Sequence, residues 1–152
     1  MSMEIRADFS QLVMAAERIA RLGKLDREAL LEGIGAEIES QTHRRIRYEK
    51  TAPDGTPWPA WSARYAKTRH AGHSLLMNEG HLDDSIQSLI EGDAVYTGSN
   101  LPYAAIQNLG GVATEYTALD ARTYLGFSSD NLDDISWLVN DFTEQHIQDT
   151  LQ

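Results

Sequence analysis

The dipeptide Gly92-Asp93, set between Ser85–Glu91 and Ala94–Ser99, constrains the fold of this chain more than any other feature. A two-residue loop with glycine first is what a type II′ hairpin requires, because its first central position takes positive φ. Ile86, Leu89, Ile90, Val95 and Tyr96 supply β-favouring bulk on either side. An antiparallel pair is therefore expected here, and helices elsewhere in the chain must pack against it. The next stretch, Leu101–Gly111, reads LPYAAIQNLGG. Pro102 holds Leu101 in extended geometry. Tyr103, Ile106 and Leu109 then recur at helical spacing, and Gly110 and Gly111 end the helix because glycine accepts left-handed geometry.

The flanks carry a helical period. Ile5, Phe9, Leu12, Val13, Ala16, Ile19, Ala20 and Leu22 predict a helix over 4–22, stopped at Gly23. Asp26 is positioned to cap a second helix. Leu30, Leu31, Ile34, Ile38, Thr42 and Ile46 carry that helix to about Tyr48, with Gly33 and Gly35 inside it. Each glycine costs about 1 kcal/mol against alanine, which favours a close approach to another element over a kink. Arg44, Arg45, Arg47 and Lys50 suit the negative end of its dipole. At the other end, 128–130 can cap a helix whose stripe is Leu132, Ile135, Leu138, Val139, Phe142 and His146, with Ile147 and Leu151 beyond.

Between these flanks lies TAPDGTPWPAWS, Thr51–Ser62. Pro53-Asp54-Gly55 is a turn signal, and Pro57 and Pro59 keep the chain extended around Trp58. Trp58 and Trp61 need somewhere to place their rings: the core is one answer, a contact between subunits the other. Ser62 can cap a short basic helix from Ala63 to about Arg69. Leu82–Ser85 reads as one helical turn. Val112–Ala121 reads as a polar loop, and Arg122–Phe127 as a strand in which Gly126 permits close backbone approach. The fold class expected is α+β: a small antiparallel sheet packed with long N-terminal helices and a C-terminal helix, plus an extended Pro/Trp-rich loop. One domain over 1–152 is expected, with a helical part (1–50), the loop and basic helix (51–74), a β-containing core (75–128) and the last helix (129–152).

The 152 residues suffice for a real core, and 41% hydrophobic with 24% charged residues argue against disorder. No apolar run approaches the ~20 residues of a membrane span, and MSMEIRADFS lacks the order of a signal peptide. With no cysteine, disulfides and thiolate metal sites are excluded. The net charge of −10 is unevenly distributed. Residues 1–42 carry five basic and eight acidic side chains; 43–74 carry seven basic against two acidic; 75–152 hold thirteen acidic and one basic, Arg122. A chain of this kind is a poor general nucleic-acid binder. It suits head-to-tail self-association, in which opposite patches on one protomer meet.

Catalytic patterns are missing. There is no nucleophile elbow, phosphate-cradling loop, dinucleotide fingerprint or calcium loop. Asp83–Asp84 and Asp133–Asp134 are adjacent in sequence and diverge on a helix, so neither is a paired acid–base set. His70 and His73 have Gly72 between them and no carboxylate at metalloprotease spacing, and His81 stands apart. No catalytic residue, cofactor or metal is expected.

Four blocks in order carry a resemblance: TAPDGTPWPAWS with its basic helix, LLMNEGHLDDSI, VYTGSNLPYAAIQNLGG and ARTYLGFS. They resemble the phage virion morphogenesis family, the tail completion proteins of Mu-like and related tailed phages, over about 51–128. Gln107-Asn108 replaces the family's usual His-Gln, Thr123 a proline and Glu79 a threonine. The resemblance implies a structural protein of the head–tail junction, made in the host bacterial cytoplasm. It implies a ring, commonly six-fold, around the DNA channel, with no membrane partner. Tail tube and head connector proteins are the partners implied, and DNA passes without sequence-specific binding. The charge adds an expectation that the channel wall is acidic. Candidate interface residues are Trp58, Trp61, Tyr103, Gln107, Arg44, Arg45, Arg47 and Arg122. A monomeric protein-binding adaptor is the rival.

Overall fold

The computed structural model describes residues 3–20 and 25–150. Its elements are β1 (Met3–Asp8), α1 (Ser10–Ala20), α2 (Arg27–Arg44), α3 (Ala63–Ala66), α4 (His81–Asp84), β2 (Gln87–Glu91), β3 (Ala94–Ser99), α5 (Ala104–Leu109), β4 (Gly111–Thr114), β5 (Thr117–Leu119) and α6 (Ser129–Thr150). This is the α+β arrangement expected, with one antiparallel sheet of order β1-β3-β2 and a separate hairpin of β4 and β5. The central turn forms as its residues dictate: Glu91 pairs with Ala94, and Gly92 takes φ +61°. Asp26 caps α2 through the Ala29 N–H (3.0 Å), and Ser62 caps α3 through the Tyr65 N–H (3.3 Å). Gly110 closes α5 at φ +70°.

Three local expectations are corrected. Residues 4–22 are not one helix, because Met3–Asp8 is a strand paired with Ser99–Ala94 along its length. Asp8 then accepts from the Ser10 N–H (2.9 Å), so α1 starts only after the strand has ended. A strand register outweighs a weak helical period when a partner edge is available. The stop expected at Gly23, and Leu151, lie outside the described residues. Second, Val112–Ala121 is no loop: it contains most of the exposed hairpin β4–β5. Third, Arg122–Phe127 is not a strand. It bends at 125–126, and the partners it finds are side chains and a helix end.

Two cores result. In the first, Phe9, Val13, Leu31, Ile34, Val95 and Ile135 join α1, α2, α6 and β3. Of the two glycines of α2, Gly35 marks close approach, since a methyl there would lie 3.1 Å from Ser88 Cβ; one on Gly33 would make only an ordinary contact, 3.7 Å from Leu138 Cδ2. On β2, the Ser88 N–H donates to the Glu39 carboxylate, and Ser88 Oγ, 2.7 Å from Thr97 Oγ1 of β3, donates to Gly35 O (3.0 Å). That contact keeps part of this strand edge from pairing with another chain. The second core consists of Ile46, Trp58, Leu82, Ile86, Ala104, Tyr124 and Leu125.

A π-helical turn, Arg45–Glu49, joins the two. The Lys50 N–H closes it on Arg45 O (3.0 Å), and Lys50 itself takes left-handed geometry at φ +55°. Arg45 and Ile46 both lie in the interior here. Lys50 Nζ reaches across to Ser74 Oγ (2.9 Å) and Leu75 O (2.8 Å), and its pKa is lowered by burial. At the start of α6, Ser128 and Asn131 exchange hydrogen bonds (3.0 and 3.1 Å), a capping box with asparagine in place of glutamate.

Candidate interaction surface

The second core is covered by a cleft of about 490 Å³, lined by the end of the Pro/Trp loop, α3, the 73–82 segment, α5 and β5. Its aromatic wall is local in origin. The cap at Ser62 starts α3, which sets the Trp61 ring edge-on to Tyr65 (centroids 6.1 Å apart, planes at 73°). One turn on, the Arg69 guanidinium lies 4.4 Å above the Tyr65 ring and donates to Asn78 Oδ1 (3.0 Å). This cation–π contact fixes a positive charge at the mouth. His70 and His73 pack edge to face at 5.2 Å, and His81 pairs with Glu79 (2.8 Å). Tyr103 and Gln107, one turn apart on α5, complete the opposite side with Leu119 and Asp120.

Of the candidate residues read from the sequence, Trp61, Tyr103, Gln107 and Arg122 meet in this cleft. Arg122 is nearly buried, and its guanidinium is engaged with Pro59 O (2.9 Å) and Ala60 O (3.1 Å), so it holds the loop in place. Trp58 is a correction. It is 6% exposed, its Nε1–H donates to Thr123 O (3.0 Å), and its ring is used up inside the protomer. Arg45 is a second correction: at 1% exposure it donates to Tyr124 O (2.8 Å), Gly126 O (3.2 Å) and Asn131 Oδ1 (2.6 Å). Burial lowers its pKa. Arg44 is exposed, paired with Glu49 (2.9 Å) and 3.9 Å from Asp134. Arg47 bonds the buried Asp83 (2.6 Å), whose other oxygen meets His43 Nδ1 (2.7 Å). The basic cluster at the end of α2 is thus largely internal wiring, and Arg69, which lines the cleft with Arg122, comes from the next segment.

Segment 122–126 is the hub behind the cleft. The Arg122 N–H donates to Gln107 O (2.8 Å), and the Tyr124 and Leu125 N–H groups both donate to Asn108 Oδ1 (2.9 and 3.0 Å). The Tyr124 hydroxyl donates to Ala104 O (2.9 Å), and burial raises its pKa. Gly126 takes φ +136° with the Pro53 ring against it; a methyl there would lie 2.7 Å from Pro53 Cγ. Asn108→Ala removes one oxygen and orphans two buried N–H groups. At about 1–3 kcal/mol for each orphan, we expect about 2–6 kcal/mol of lost stability, read by urea melts. An unchanged midpoint would show that water replaces the oxygen.

Three large apolar groups here were not picked out in the sequence: Tyr65 in the cleft, Tyr116 at the hairpin tip (90% exposed) and Trp137 on α6 (68% exposed). Leu132, expected in the core stripe of that helix, is exposed as well. The signal for Trp137 was its position, off the stripe of Ile135, Leu138, Val139 and Phe142.

Fold and cleft together define a small α+β domain with an aromatic cleft in which Arg69 and Arg122 are balanced by Glu79 and Asp120. Among the described residues no group of three or more His, Asp or Glu is placed to hold a metal ion. No described helix is long and apolar enough to cross a membrane. The chain belongs to the phage virion morphogenesis family, whose model matches residues 7–147. That is a structural and assembly family, so the protein has a part in building a phage virion. No curated protein and no solved structure matches the chain. The four blocks that resemble the family supply Trp58, Leu82, Ile86, Ala104, Tyr124 and Leu125, the whole of the second core except Ile46. In this chain the four blocks therefore build the second core.

Proposed function

We propose that this chain is a structural protein of the phage head–tail junction, acting as a tail completion or head–tail joining component. In this reading it forms a homo-oligomeric ring, six-fold as the resemblance implies, around the DNA channel. Tail tube and head connector proteins are its neighbours on either side. Its role is mechanical and carries no catalysis. The family match over 7–147 is the observation that carries the reading. The charge supports it: a net of −10 leaves an excess of carboxylates after every contact between opposite patches, so DNA slides past without adhering.

The test is electron microscopy of particles from a phage that lacks this gene. Separate filled heads and free tails are expected, with joining restored when the purified protein is added back. Normal, infectious particles would refute the reading.

A further inference from the structure

We propose that Lys50 is the latch of a strained turn in the cleft wall, Ser74–Met77, which has a second, unlatched position. Among the described residues, Lys50 and Leu76 are the two non-glycine residues at positive φ, +55° and +59°. For a residue that carries Cβ, left-handed geometry is disfavoured roughly 5–30-fold. The two meet at one joint. The Lys50 ammonium donates to Ser74 Oγ (2.9 Å) and Leu75 O (2.8 Å), on the turn that holds Leu76. It also donates to Ile46 O inside the π-helical turn. One charged group thus clips the cleft wall to the segment that joins the two cores.

The turn is closed by its own backbone in both directions, from the Ser74 N–H to Met77 O (3.0 Å) and from the Met77 N–H to Ser74 O (2.9 Å). Leu76 holds its third position, where a turn with positive φ ordinarily takes glycine or asparagine. Leucine is there for its side chain. Leu75, Leu76 and Met77 pack against the second core, and Leu76 and Met77 also line the cleft. The chain therefore accepts a poor backbone conformation in order to place apolar groups on the core. Strain of this kind persists only where the surroundings hold it. Here the holding group is the ammonium, whose charge-assisted bonds are stronger than those of a neutral donor.

Release acts locally. The Lys50 backbone closes the π-helical turn on Arg45 O (3.0 Å) and accepts from the Trp58 N–H (3.0 Å), and neither bond involves the ammonium. Loss of the charge alone therefore frees the turn and leaves the joint between the cores intact. With Leu76 and Met77 in the lining, the latched turn sets the shape of the cleft. The unlatched turn carries both side chains out of that position. This behaviour belongs to the single chain and is independent of any ring or junction role.

The experiment is residue-resolved amide exchange by NMR on the full chain. The Ser74 and Met77 N–H groups report the turn, and those of Ile34 in α2 and Val95 in β3 report the fold as a whole. In wild type both turn amides are expected to exchange at least tenfold more slowly than in a free chain. Lys50→Met, which keeps the stem and removes the charge, is expected to speed both at least tenfold and to leave Ile34 and Val95 unchanged. Lys50→Gln, a neutral donor, stands in if Lys50→Met fails to fold. Adding Leu76→Gly is expected to recover most of the lost protection, because glycine holds this φ without strain. Turn amides at free-chain rates in wild type, or unchanged by loss of the charge, would overturn the latch. An equal rise at all four amides would make Lys50 a general support of the fold and would overturn it as well. No recovery in the double variant would show that the ammonium does not work against strain, with the same result.

Discussion

Arg45→Ala lowers stability by about 3–5 kcal/mol, a shift of roughly 10 °C in Tm for a chain of this size. The side chain is 1% exposed and donates to three acceptors, the carbonyls of Tyr124 and Gly126 and the amide oxygen of Asn131. Among the described residues no carboxylate hydrogen-bonds it; neutral oxygens take its protons, and the Glu49 carboxylate favours its charge from nearby. Truncation leaves a cavity and acceptors without donors. Against that, it removes the cost of holding a cation out of water, which keeps the total below the sum of the losses. Arg45→Met separates these effects by keeping most of the volume and losing the donors. We expect it to recover about half of the stability. If Arg45→Ala melts with wild type, the guanidinium is not the link between the two cores.

Trp58→Ala is the second large effect, about 3–5 kcal/mol, since a buried aromatic leaves both a cavity and lost transfer energy. The Thr123 carbonyl also loses its donor. Trp61→Ala, at the half-buried edge of the cleft, is expected to change stability by less than about 1 kcal/mol and to act on association instead. Thermal melts of the two variants side by side make the distinction. Equal losses would show that both tryptophans serve the core, and equal neutrality that neither does.

These two tryptophans also show where the sequence was legible. TPWPAWS announces that two indoles in a polar, proline-rich loop need partners, but it does not say which partner each one finds. Trp58 meets Thr123, which is 65 positions on, and Trp61 meets Tyr65 on its own short helix. The arginines behave alike. Arg44, Arg45 and Arg47 look equivalent as a basic helix end, yet one is exposed, one is fully buried and one is bound to a buried aspartate. Burial is a property of the facing surface, and that surface comes from elsewhere in the chain. Trp137 was missed for the opposite reason: a helical stripe directs attention to the side that packs, and this residue lies off it.

What the sequence alone determined is everything settled within a few residues. The Gly92-Asp93 turn, the caps at Asp26 and Ser62 and the stop at Gly110 all follow from backbone sterics or one local hydrogen bond. The ordered blocks of the family were legible for the same reason, being made of such turns and caps. The tertiary structure alone decided that Met3–Asp8 is a strand, that 122–126 is held by side chains, and that Arg45 is structural. Each of these depends on a partner far along the chain: Ser99–Ala94 for β1, Asn108 for the hub, and acceptors 79 to 86 positions away for Arg45. Local period cannot encode which distant group will be at hand. Only packing brings it there.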